Sequence, residues 1–495
     1  MHLLRTILAC AALWLPFGAT AQTFYVATNG VDAAGGGGSA NPWATITFAL
    51  DSVPDGSLVL VRAGTYNGRI RIRGNFATGV TVRSEQRYQA RLRHTSTVLT
   101  IYNDSADIAG IAIEGFDIAH AGPGSLPLVV QVQDGFGTET SRITFRDNIL
   151  HDSYDNDILK INNGASDILV QGNVFYNQGS SDEHIDVNSV ENVVIEDNVF
   201  FNDYAASGRP VPGGAVPDSS SYIVVKDSNG SDDEYLGTRN VTIRRNVFLH
   251  WTGSSGSNFV LFGEDGTSNY EAFDSLVENN LMLGDGTVQM RATFGVKGSR
   301  NIRFRANTVA GNFPANAFAM RLNREGSNPI VDAISFYNNI WSDPTGTMGA
   351  DGVGSGNDFS DTPPADTATF AIANNLYWNG GSVVPDDAAE EVNPSDDASA
   401  RFADPVLASN AAVARPYWVL ALGQFNGGYA TIRDAFLGLV QQYGQPGAAG
   451  GGVGQAFIGE VPADDIRGLL RGAPPYDIGA YERDGESPLF ANGFE

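Results

Sequence analysis

A short phrase recurs along this chain and limits its fold more than any other feature. An alternating apolar stretch leads to an Asn, and two or three apolar residues follow. It reads Ile143-Thr-Phe-Arg-Asp-Asn148-Ile-Leu, then Ile168-Leu-Val-Gln-Gly-Asn173-Val-Phe, Val193-Val-Ile-Glu-Asp-Asn198-Val-Phe and Val241-Thr-Ile-Arg-Arg-Asn246-Val-Phe. Weaker copies carry Asn280, Asn307, Asn339 and Asn375, and Asp117 opens the series. Asn148, Asn173 and Asn198 are spaced by 25 residues (173 − 148 and 198 − 173), and longer intervals follow. That period is too short for a propeller blade, and its inner period of two is wrong for a helical repeat. It suits one coil of a parallel β-solenoid, with neighbouring coils about 4.8 Å apart. Asn at a fixed place accepts a left-handed bend, and stacked Asn amides bond from coil to coil. The long intervals put insertions at 204 to 220 and 229 to 238 on loops of selected coils.

Composition agrees with many strands and turns. The chain has 495 residues, with 58 Gly, 22 Pro and 42% apolar residues, enough for a core and too much Gly and Pro for a helical bundle. Its formal charge of −26 supplies no basic face, so nucleic acid is excluded as the main partner. Residues 1–21 read as a secretory signal: Arg5, an apolar run from Ile7 to Phe17, and Ala19-Thr20-Ala21 before Gln22. Its removal takes Cys10, the one cysteine, which excludes disulfides and thiolate chemistry. No later apolar stretch is long enough to span a membrane. The expected product is an exported monomer acting outside the cytoplasm, periplasmic or extracellular.

The coils are expected over 22–380, including an amino-terminal cap, followed by an acidic linker at 381–400, a closing region at 401–482 and a tail at 483–495. Helical periodicity at 43–53 and 431–443 marks elements expected to cap the open solenoid ends. The fold class is therefore all-β: a single-stranded right-handed parallel β-helix with short capping helices and a loop-rich carboxyl-terminal region.

Several phrases carry a family likeness. Phe24-Tyr-Val-Ala-Thr-Asn-Gly, Pro42-Trp-Ala-Thr-Ile and Ala63-Gly-Thr-Tyr66 form an opening module, and Asp465-Ile-Arg-Gly with Asp477-Ile-Gly-Ala-Tyr-Glu482 a closing one. Over residues 23 to 482 the chain resembles the secreted pectin-lyase-like β-helix proteins. The resemblance implies the fold; its members include lyases, hydrolases, epimerases and non-catalytic binders, so it leaves the activity open. The final Leu489-Phe-Ala-Asn-Gly-Phe-Glu495 is similar to a sorting tag of exported bacterial proteins.

Lysine occurs only at Lys160, Lys226 and Lys297. Each ends an apolar alternation, as in Leu159-Lys160-Ile161-Asn162, so each is expected on the outside of the same sheet. Stacked in order, the outward positions read Lys160, Asp186, Lys226, Glu264, Lys297, Arg321. Such a ridge suits β-elimination on an acidic polysaccharide or cell-surface glycan. A cation neutralises the sugar carboxylate, and a base removes the adjacent proton. Lysine suits the base because its pKa falls on desolvation or beside other cations. Arg291 and Arg321 are candidate carboxylate clamps. His184 is a further base candidate, and Asn162, Asn188, Asp227 and Tyr222 are candidate substrate contacts. Glu183, Asp186, Glu264 and Asp265 offer the hard oxygens that Ca²⁺ takes. The competing reading is a non-catalytic glycan-binding or matrix protein, since charged cross-strand pairs also support sheets by about 0.2–1 kcal/mol each. A hydrolase is disfavoured because the Gly-His-Gly and Arg-Ile-Lys strings of β-helix polygalacturonases are absent.

Overall fold

The computed structural model describes residues 21–179, 182–209, 219–230, 234–252, 258–284, 286, 288–349 and 357–483. The expected leader, the tail and most of the insertion at 204–220 lie outside them, as do residues 231–233 of the second insertion. Three long parallel sheets run along one axis, two of twelve strands and one of ten. Each coil contributes one strand to each, so the sheets form three walls of a solenoid. The coil after Asn148 shows the order: Ile149–His151 on the third wall, Leu159–Asn162 on the second, and Ser166–Gln171 on the first. Among the described residues, strands of different coils pair only in parallel, which is a right-handed parallel β-helix.

The Asn phrase is the corner between the first and third walls. Asn148 Nδ2 donates to Asn173 Oδ1 at 3.1 Å and its backbone N–H to the same oxygen at 2.9 Å. The pattern repeats through Asn198, Asn246, Asn280, Asn307, Asn339 and Asn375, all buried. Each buried amide satisfies the backbone of the coil below, which makes the side chain irreplaceable there. The acidic segment after residue 380 ends this ladder, as Asp397 Oδ2 accepts from Asn375 N at 2.8 Å. Two expectations change. The left-handed residue is the one before the Asn, as at Asp147, Asp197, Arg245 and Asn279. The first rung belongs to Phe116, whose N–H donates to Asn148 Oδ1, and Asp117 sits one position later on the third wall.

The two helices also part company. Ile46–Leu50, capped by Thr45, buries Ile46, Ala49 and Leu50 at the amino-terminal end. Ile432–Leu439 instead lies along the outside of the third wall. There the outward side chains Ile149, Val174, Val199, Val247 and Leu281 are covered by Phe425, Ile432, Phe436, Leu439 and Ile466. The closing region is therefore a strap, pinned by Arg245 to Asp464 at 2.6 Å and by Arg471 to Asn279 at 3.1 Å.

Candidate functional site on the second wall

The three lysines share the ten-stranded second wall, as the alternation requires. Register divides them into two rows. Lys160 stands beside Asp186, and that row continues through Val224, Leu261 and Gly295 to Arg321. Lys226 stands beside Asn188, and Lys297 beside Asn323, two residues further along their strands. Every lysine is ion-paired. Lys160 Nζ contacts Asp186, and lies 3.5 Å from Asp157. Lys226 Nζ is 2.6 Å from Glu264, 3.7 Å from Asp186 and 3.8 Å from Asp265. Lys297 meets the exposed Glu325.

Carboxyls outnumber cations at the centre of this wall. Asp157, Asp182 and Glu183 place one oxygen each within 4.8 Å of one another. The strand register sets Asp157 opposite Glu183, and Asp157 Oδ1 accepts from Glu183 N at 3.1 Å. Asp186, Glu264 and Asp265 bring the carboxyls to six around Lys160 and Lys226. Burial, then the neighbouring Asp157, lifts Asp182 to about 7. Burial, with Glu264 and Asp157 close by, raises Glu183 well above the usual carboxylate range. Asp157 and Glu264 move the same way, burial being the main cause in each. One oxygen of the buried Asp186, Oδ1, has no hydrogen-bond partner. Buried like-charged carboxyls of this kind either keep protons or take up a cation. Three hard oxygens within reach of one point, with an unpartnered carboxylate oxygen beside them, suit Ca²⁺.

The lysines contradict the idea of an amine already made basic by the fold. Burial alone would lower Lys160 and Lys226, but the surrounding carboxylates outweigh it, Asp186 foremost, and both are raised. Both ammonium groups stay charged while the acids around them do.

Other expected residues are placed elsewhere. His184 is fully buried behind the wall, stacked on Tyr222 at 4.4 Å, with Nε2 3.0 Å from Asn202 Oδ1. Burial lowers it to about 3, so it is neutral and neither base nor ligand at the surface. Tyr222 is equally buried, donating to the Leu249 and His250 carbonyls, and touches no solvent-side groove. The position one residue before Leu159, Ile185, Ile223 and Val260 turns inward at the bend, so Ile158, His184, Tyr222 and Phe259 form one core column. Strict alternation from the following strand missed this. Asp227 is a loop organiser: its carboxylate accepts from Gly230 N, Gly237 N, Ser189 Oγ and Asn269 Nδ2. Asn188 is buried and accepts from Ser228 N at 2.9 Å. Asn162 remains on the row with its Oδ1 unpartnered. Arg321 pairs with Asp361 at 2.6 Å, and Arg291 precedes the strand Ala292–Lys297. Glu264 and Asp265, expected as metal ligands, hold Lys226, whereas Asp157 and Asp182 join Glu183.

No protein-family model matches the sequence, and no curated protein matches it. Two solved structures align along nearly their whole length. One is a complex of XylC with xylose, 11% identical, covering 94% of this chain and 99% of that one, with a TM-score of 0.51. The other is pectate lyase Pel9A, 13% identical, covering 94% and 97%, with a TM-score of 0.50. The chain has the fold of the pectin-lyase-like β-helix proteins. At such identities the likeness carries the fold and nothing about activity.

Proposed function

We propose that the protein is exported, acts as a monomer on an acidic polysaccharide, and cleaves it by β-elimination with Ca²⁺ held by Asp157, Asp182 and Glu183, assisted by Asp186. The observation that carries this reading is the carboxyl excess built around Lys226 on the second wall, whereas the first wall's charges stand in matched pairs such as Arg83 with Glu114 and Arg305 with Glu278. A site evolved only for stability would match its charges, since unpaired buried carboxyls cost free energy. A divalent ion held by these carboxyls would neutralise the sugar carboxylate and so acidify the proton on the carbon beside it. Charge supplied there would weaken the field of Asp186 and Glu183 that holds Lys226 protonated, and, with Glu264 drawn off the amine, Lys226 would be available as base. Lys226 then takes that proton, the C–H electron pair forms the ring double bond, and the glycosidic C–O bond breaks toward the leaving oxygen, which is protonated by water.

The ion pairing of all three lysines favours a second reading, glycan binding without turnover. One assay separates them. Pectate, alginate and chondroitin polymers are incubated with the protein in Ca²⁺ or in chelator, and the ultraviolet absorbance of unsaturated uronide is followed. The lyase reading expects a rise with Ca²⁺ that chelator abolishes. Retained glycan binding with no rise on any polymer leaves the binding reading in its place.

A further inference from the structure

The second wall opens on a basic edge. Its amino-terminal edge strand is Ile70–Ile72, where Arg71 N donates to Thr47 Oγ1 of the capping helix at 3.0 Å. Ile70 and Ile72 are buried, so Arg69, Arg71 and Arg73 point outward as alternate residues. Register carries Arg71 into the row of Thr100, Gln131, Lys160 and Asp186. Arg73 heads the other row, which runs through Gln133, Asn162 and Asn188 to Lys226. Outward arginines of the first wall are matched by acids, as Arg83 is by Glu114 and Arg305 by Glu278. Here Arg69 donates to Ser96 Oγ at 3.1 Å, and neither Arg71 nor Arg73 meets a carboxylate among the described residues. The acid on the neighbouring coil, Asp104, already accepts from Tyr102 Oη and Phe136 N. Arg73 Nε is buried and has no hydrogen-bond partner. Thr100 Oγ1, Asn162 Oδ1, Asp186 Oδ1 and Asn323 Oδ1 lack partners on the same wall. Buried polar atoms ordinarily find partners, so a string of open ones along one wall marks where a ligand supplies them.

Building on the proposed glycan site, we infer that Arg71 and Arg73 form a distal subsite that holds a carboxylate of the glycan five coils from Lys226. Five steps of about 4.8 Å place that subsite about 24 Å from the reacting unit. Either guanidinium can take a carboxylate through two parallel N–H bonds, and neither gives up an ion pair to do so. Thr100 Oγ1 and Asn162 Oδ1 lie between the two ends, where they can bond the hydroxyls of intervening sugars. The substrate class is therefore a long acidic polymer laid along the wall, rather than a short fragment held at the centre alone.

The test is calorimetric binding of the full protein, in excess Ca²⁺ at fixed ionic strength. The probes are galacturonate and mannuronate oligomers of two lengths, roughly 10 Å and roughly 50 Å, below and above the span of about 24 Å. The long oligomer of at least one sugar should bind, and Arg71→Gln with Arg73→Gln should weaken it about tenfold. The short oligomer should lose far less, and the melting temperature of the free protein should hold, because no ion pair is removed. Should the double variant melt early, the exposed Arg71→Gln alone carries the same comparison. Equal binding of the long oligomer by wild type and variant overturns the distal subsite and leaves the central site standing. Equal losses for both lengths overturn it too, since the arginines would then act through the general field of the wall. Binding of no long oligomer overturns the glycan site as well. The expected weakening with no unsaturated product removes only the elimination step.

Discussion

The second and third walls have the same backbone and opposite fates. Outward positions on the third wall are filled by Ile149, Val174, Val199, Val247 and Leu281, and the carboxyl-terminal strap buries them. Outward positions on the second are mostly polar, Lys160, Asp186, Lys226 and Arg321 with Gln131 and Asn162, broken by the apolar Val224 and Leu261, and the strap's apolar cluster includes none of them. A parallel coil leaves every outward side chain free of ladder duties, so residue type there decides between structure and chemistry. Apolar rows recruit cover from the chain itself, and the hydrophobic gain is what holds the strap. The first wall also carries charge, but in matched pairs such as Arg83 with Glu114 and Arg305 with Glu278, whereas carboxyls outnumber cations on the second, and that contrast supports the proposed site there.

The comparison breaks first at Lys226. Lys226→Met should lower turnover by about 10²–10⁴-fold in an absorbance assay with Ca²⁺. Because the side chain neutralises buried acids, the same variant should also melt earlier in chelator, and Ca²⁺ should restore much of the loss. On the covered wall the effect should fall on stability alone. Phe436→Ala should cost about 3–5 kcal/mol in denaturant titration while turnover per folded molecule is unchanged. Lost turnover in Phe436→Ala at full folding would mean that the strap takes part in the reaction.

A smaller effect sharpens the charge argument. A carboxyl raised to about 7, as at Asp182, binds its proton in the folded state at pH values where the unfolded chain has lost it. Its ionised form is therefore a burden that grows as pH rises from about 4 to about 7. Asp182→Asn should raise the melting temperature of the chelator-treated protein by a few degrees at pH 8, have little effect near pH 4, and weaken Ca²⁺ binding.

The smallest effect belongs to the third wall. His151 Nε2 and Nδ1 each lie 2.8 Å from a carboxylate, Asp117 and Asp152, which outweigh burial and raise its pKa. A raised folded pKa gives stability that is complete below the ordinary histidine value and fades as pH climbs through the folded one. His151→Gln should flatten that alkaline loss of melting temperature, and an unchanged pH profile would show that the imidazolium contributes nothing.

Much of this was legible in sequence, for physical reasons that differ from residue to residue. The Asn ladder was readable because a buried amide serving two coils admits no substitute, so Asn148 through Asn375 stand out without a structure. The lysine wall followed from alternation. Its register did not: aligning Ile185 with Ile223 places Lys226 beside Asn188, whereas equating strand ends had placed it after Asp186 in a single file. Asp157 and Asp182 were not among the expected ligands, because their meeting with Glu183 depends on the corner that brings Asp157 opposite it. His184 and Tyr222 were misplaced at that same corner, where two successive side chains face inward. The strap was hidden because the helical pattern of 431–443 identifies an apolar face and says nothing about which wall it covers.

The most direct test is a crystal structure with Ca²⁺ and an acidic oligosaccharide bound to the Lys226→Met protein. The account predicts one ion among Asp157, Asp182 and Glu183, and sugar rings along the second wall above residue 226. Sugar bound on another wall, or an ion site unchanged when Glu183→Gln is added, would contradict it.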